Sequence, residues 1–275
     1  MTGRTRVPFP LPLLRFWFWR ILPVWTGIAL AIFLVQIMVC GIVHDNESVR
    51  TLLRLLDLLP PVVKNVLGGE ALQVGNTVAL ISIGYQHPFV LDLYMLFAVS
   101  VPAFLLTAEV QRGTMELILS RPTTKTQVYC CAGILTLIGM FALVMAMFLG
   151  TVAGTSIFDF GQPIPLRGFF RFAITAGLFA SAIGSIALLC AASFRQLYAA
   201  IGVPVAFLIV NYLVSFFGSW WPRMQSLAPM TLFYYVGGSE AFRRWPLGDM
   251  AVQASVLVVA SVVGGLIWHR RDLPL

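Results

Sequence analysis

Six stretches of this chain each run about twenty residues with scarcely a charge, which is what a helix needs to cross the ~30 Å hydrocarbon core of a bilayer. They predict spans at 21–43, 88–108, 129–153, 172–194, 197–218 and 250–268. The uncharged run from Tyr129 to Phe158 exceeds an upright crossing, so it tilts or continues as an interfacial piece. Ahead of the first span, residues 9–20 interleave Arg15 and Arg20 with Phe16, Trp17, Phe18 and Trp19. That mixture predicts a short amphipathic helix in the membrane interface, where Trp rings and snorkelling arginines are both accommodated. The alternative is a plain extension of the first span. No cleavable leader is expected, because the first apolar run is longer than a signal's and follows two arginines.

The polar intervals are uneven. Residues 44–87 are too long for a turn, and within them Arg50, Arg54 and Asp57 recur at helical spacing among Leu52, Leu53, Leu55, Leu56, Leu58 and Leu59. This predicts an amphipathic helix broken at Pro60-Pro61 and ended at Gly68-Gly69, lying on the outer interface, over the spans, or against a partner. Residues 219–249 mix Trp220, Trp221, Phe233, Tyr234, Tyr235 and Trp245 with Pro222, Pro229, Gly237, Gly238 and Pro246. Aromatic residues at headgroup depth together with helix breakers predict short re-entrant or interfacial helices.

Composition agrees. Hydrophobic residues make up 59% of the 275 and charged residues 11%, less than half the ~25% of a soluble domain. That excludes a soluble enzyme and a disordered tail. The fold class is therefore an all-α integral membrane protein. The net charge of +7 is distributed between spans and not along one basic face, so it bears on orientation and not on nucleic acid. Six spans put both ends on one side, where Arg15, Arg20, Arg112, Arg121, Lys125, Arg195, Arg270 and Arg271 cluster near span ends with few acids. The positive-inside rule makes that side, with both termini, cytoplasmic. Cys40, Cys130, Cys131 and Cys190 lack C-x-x-C spacing and read as small apolar helix residues.

The loop 109–128, on the cytoplasmic side, carries the sharpest pattern: Glu109-Val-Gln-Arg-Gly-Thr-Met-Glu-Leu-Ile-Leu-Ser-Arg-Pro-Thr-Thr-Lys125. Thr114 to Leu119 reads as a short helix after Gly113, with Glu116 in its first turn, where the helix dipole favours an acid. Pro122 stops it, and Thr124 with Gln127 fits a capping box for the next span. Such a helix, tied closely to two spans, can carry force from a soluble partner. Within the spans, Gly150-x-x-x-Gly154 together with Ala180, Gly184 and Gly202 reads as close helix packing. Asp92 stands near the outer end of the second span, and Asn211 and Tyr212 lie deeper in the fifth. Asn211 could equally hydrogen-bond between helices.

The loop resembles the type-2 permease family of ATP-binding cassette transporters, in which a motif E-x-x-x-G-T-x-[ED]-L-L-L-[SA]-x-P-x-[ST]-[RK] joins spans two and three. Glu109, Gly113, Thr114, Glu116, Leu117, Leu119, Ser120, Pro122, Thr124 and Lys125 stand at matching places. Leu227-Ala-Pro229 followed by Phe233-Tyr234-Tyr235, and the closing Arg270-Arg271-Asp272-Leu273, are softer matches. Val110 and Gln111 depart from the family's acidic run, and Cys130-Cys131 from its basic start of span three.

The resemblance implies a permease subunit of an ATP-driven exporter in the cytoplasmic (inner) membrane of a prokaryote. It would pair with a second permease copy or a homologue and with two separate ATP-binding subunits. Glu109, Arg112, Gly113, Thr114, Glu116, Ser120, Arg121, Pro122 and Lys125 are then candidates for coupling to the ATPase, and Asp92, Tyr94, Asn211 and Tyr212 for the pathway. ATP and Mg would belong to the partner and no cofactor to this chain, since a P-loop needs Gly-Lys-Ser/Thr and the two lysines, Lys64 and Lys125, follow Val63 and Thr124. A membrane-embedded enzyme and a scaffold or assembly factor are the alternatives. No H-E-x-x-H or G-x-S-x-G motif supports the former.

Overall fold

The computed structural model describes residues 9–45, 77–161, 163–218, 221–236 and 240–272. Most of these are helical and, among them, six helices are long and apolar enough to cross a membrane. The chain is a multi-pass, all-α membrane protein. The amphipathic segment expected around 50–69 lies outside the described residues, as do Trp220, Gly237, Gly238 and Leu273.

The expected interfacial helix at 9–20 and span at 21–43 are one continuous helix, α1 (Leu11–His44). At 1.5 Å per residue its 34 residues reach about 51 Å, well beyond the hydrocarbon core. Nothing between its two parts stops a helix except Pro23, which α1 carries within it. Trp17, expected at the interface, is fully buried, whereas Phe16, Phe18 and Trp19 are exposed.

The second crossing starts earlier than Pro88. Helix α2 (Thr77–Gln86) precedes it, and His87 separates α2 from α3 (Pro88–Pro102). Pro88 begins a helix because a missing N–H costs nothing at the first position, and the His87 ring Nδ1 accepts the Phe89 N–H. Past Pro102 the helix widens to a π-helical stretch, Ala103–Ala108, and ends in α4 (Glu109–Gln111). Then follow α5 (Thr114–Leu119), α6 (Lys125–Ile157), α7 (Leu166–Ser193) and α8 (Leu197–Gly218). After 3-10 turns at Ala228–Met230 and Leu232–Tyr235 come α9 (Glu240–Arg243) and α10 (Leu247–Arg270).

Helix α7 is the centre, packed on α6 and α10, and α6 in turn packs on α1. In its most apolar stretch 72% of residues are buried, against 17% in α8 and in α10, which present wide apolar faces outward. The Gly150/Gly154 pair seats α6 on α1. A Cβ on Gly150 would stand 2.8 Å from the Phe33 carbonyl oxygen, and one on Gly154 2.6 Å from Cys40 Sγ. Ala180 is buried and Gly184 lies against Thr136 and Met140, but Gly202 has nothing within 4 Å of where its Cβ would be, so it does not pack a helix here. Beside the glycine seam sits a polar cluster that no sequence pattern announced. Gln36 Nε2 donates to Thr151 Oγ1 (3.0 Å) and to the Ile81 carbonyl (3.2 Å), and the Tyr85 hydroxyl shares a hydrogen bond with Thr151 (2.8 Å). Buried polar groups need such partners because water is not there to serve them.

Candidate functional site

The loop after α4 is compact because two local devices close it. Gly113 turns the chain with φ 72°, a left-handed conformation that costs glycine nothing and strains any side chain. At the other end Thr124 and Gln127 form the reciprocal capping box read from the sequence. The Thr124 hydroxyl accepts the Gln127 N–H (3.2 Å), and Gln127 Oε1 accepts the Thr124 N–H (3.0 Å). Between them α5 covers Thr114–Leu119, the range expected from the residues alone.

Long-range ties then sort the candidate coupling residues into two sets. Glu109 is buried, and its carboxylate accepts hydrogen bonds from the Arg20 guanidinium of α1 and from the Thr114 hydroxyl at the start of α5. One acid thereby joins the first helix, the end of the second crossing and the short helix. A charge removed from water is stable only with such compensation. Lys125 also points inward. Its Nζ donates to the Arg271 carbonyl (2.9 Å), while Trp268 Nε1 donates to the Lys125 carbonyl (3.0 Å). Arg271 lies over the Trp268 ring and donates to the Ala192 carbonyl (3.0 Å), satisfying the carbonyl end of α7, where a cation also complements the helix dipole.

The other set faces out. Arg112, Gly113, Glu116, Ser120, Arg121 and Pro122 are exposed, and Leu117 between them is 69% exposed. Met115, two positions from Leu117, is buried and pins the opposite side of α5. The result is a charged knob with one apolar side chain on its face, backed by a buried carboxylate hydrogen-bonded to a partly solvated arginine. Arg20 as the anchor of Glu109 and Arg271 as the cap of α7 escaped the sequence reading, since each pairing spans some eighty positions.

The pathway candidates separate as well. A groove of about 520 Å³ between α3 and α8 is lined by Asp92, Ser100 and Tyr212 among apolar residues such as Met95 and Ile209. Tyr94 turns the other way and is buried in the core. Asn211 Oδ1 accepts the Leu232 N–H (2.9 Å), so it holds the 3-10 turn Leu232–Tyr235 against α8. Gln253 does the same from α10, its amide donating to the Tyr235 carbonyl. Among the described residues no three His, Cys, Asp or Glu side chains gather as a metal site. All four cysteines are free. Compared with known proteins, the chain matches no family model and no curated sequence.

Proposed function

We propose that this chain is the membrane subunit of an ATP-driven transporter, an exporter of the ATP-binding cassette class, and that α5 is the helix through which separate ATPase subunits drive it. The observation carrying this reading is the knob itself. Glu116 and Leu117 on α5, with Arg112 and Arg121 flanking it, are left exposed, while its other side is locked to two crossings by Arg20, Glu109 and Thr114. A lever needs both properties. The outward face supplies charge-assisted donors and an acceptor for a protein groove, and the inward ties make a push on α5 move α1 and α3 together.

On this reading the knob is cytoplasmic in a prokaryotic inner membrane and two permease chains, identical or homologous, enclose the pathway. Two ATP-binding subunits bring ATP and Mg, and this chain hydrolyses nothing. The α3–α8 groove with Asp92 and Tyr212 is the surface of this chain that the substrate would touch. Asn211 serves it indirectly by fixing the neighbouring turn, and Tyr94, buried in the core, does not line it. The residues support an external energy source, because the carboxylates of α3, α4 and α5 do not form a proton path across the spans: Asp92 lies on the groove and Glu109 is engaged by Arg20.

The test is co-purification of the intact chain from native membranes in mild detergent, followed by ATPase assay. A P-loop subunit should accompany the chain, and Glu116→Lys should remove that subunit while leaving the membrane protein folded. Recovery of the folded chain with no ATPase attached would end the proposal.

A further inference from the structure

At the end of the bundle opposite α5, the first turns of α7, the side of α6 and Trp245 line an open pocket of about 620 Å³. Arg167 and Arg171 stand four residues apart on α7 and therefore share a face. Beside them Phe148 and Phe170 meet edge to face at 5.5 Å, and Trp245, 41% exposed, forms a side wall.

Arg171 is fixed in place, donating to the carbonyls of Phe242 (2.7 Å) and Arg243 (3.0 Å). Arg167 is exposed. Neither pairs with a carboxylate among the described residues, where Glu240, the acid of the adjoining α9, is bound to Arg244. Two positive charges thus stand beside a pair of aromatic rings. Helix α7 is 28 residues long, about 42 Å, so its first turns extend past a ~30 Å hydrocarbon core to the depth of the lipid headgroups.

We propose that this pocket binds an anionic glycerophospholipid, its phosphate on Arg167 with Arg171 adding charge from one turn deeper, and its acyl chain against Phe148 and Phe170. Guanidinium matches phosphate in charge and fork geometry. A free phosphate would leave the aromatic pair uncovered. A zwitterionic headgroup would bring an ammonium up to two guanidinium groups. Trp245 sits as interfacial Trp rings do, at the level where acyl chain gives way to headgroup. The site lies at the far end from α5 and stands whether or not an ATPase docks there.

The experiment titrates the delipidated full-length chain with phosphatidylglycerol, phosphatidylcholine and inorganic phosphate, reading bound lipid by native mass spectrometry. One saturable phosphatidylglycerol should bind at least tenfold tighter than phosphatidylcholine. Arg167→Gln should weaken it about tenfold, the worth of one charge-assisted contact, without moving the lipid-free melting temperature. Arg167→Lys should restore part of the loss. Arg223→Gln, an equal charge change at the same end but away from the pocket, should stay within twofold. If Arg167→Gln misfolds, Trp245→Gln takes its place and should weaken binding at least threefold. Equal losses from Arg167→Gln and Arg223→Gln would overturn the site as mere surface charge. Full displacement of the lipid by equimolar phosphate would overturn it as a lipid site, and so would equal affinity for the two lipids.

Discussion

At the α5 end of the bundle charged side chains tie elements together across long stretches of sequence, Arg20 holding the Glu109 carboxylate and Lys125 the Arg271 carbonyl. At the opposite end the grip is on backbone and rings. Arg171 takes the carbonyls that end α9, Asn211 caps a 3-10 turn, and Phe242 stacks into Phe169 and Phe172 at 4.9 and 5.5 Å. The first arrangement leaves one face of a short helix free of internal bonds and fixes its orientation. The second folds short irregular pieces down onto the bundle, where their backbone groups would otherwise lack partners in lipid. One end is built to present a motif, the other to cover the helix ends.

That contrast can be broken in a graded way. The strongest perturbation lies in the helix seam towards the opposite end: Gly154→Leu forces a side chain onto Cys40 and separates α6 from α1. It should cost more than about 3 kcal/mol and abolish a monodisperse gel-filtration peak. Next, Arg171→Met removes two hydrogen bonds from the end of α9. A loss of about 2–3 kcal/mol is expected, seen as a lower melting temperature in detergent, with ATPase stimulation retained in the surviving folded fraction.

Glu109→Gln is the decisive case, because stability and coupling should respond unequally. Arg20 is partly solvated, its side chain 42% exposed, so the pair is screened and the stability loss should be only about 1 kcal/mol. Stimulation of the ATPase should nevertheless fall at least tenfold, because α5 loses its tie to α1. If stability collapses while stimulation survives, the knob is ordinary scaffold and the contrast is wrong. Smallest in stability, Leu117→Ser alters an exposed side chain and should stay within about 0.5 kcal/mol, yet should weaken co-purification of the ATPase severalfold.

Much of the coarse layout was legible because its signals are local. Twenty uncharged residues cannot be wetted, a glycine before Thr114 and a Thr-x-x-Gln before a long apolar run are terminus signals, and α5 and the start of α6 fall where those signals put them. The first crossing was divided where it is continuous, because Arg15 and Arg20 among aromatics look interfacial whether or not the helix goes on. The second was begun too late, because Pro88 marks a helix start and gives no sign that α2 ends just before it. The candidate site was identified as a segment, but the roles of its members were not. Glu109 and Arg112 are three apart and both charged, and only the fold turns one inward to Arg20 and leaves the other outside.

The chain by itself therefore determined that it lives in a membrane, how many long apolar helices its described residues form, and where its short exposed helix begins and ends. Tertiary structure decided which face of each helix meets protein and which meets lipid. In water the core is apolar and the outside polar, so periodicity tells them apart. In a bilayer both sides are apolar, and that contrast is lost. Gly154, pressed on Cys40, and Gly202, open on the outside of α8, look alike in the sequence and differ only through what the fold places beside them.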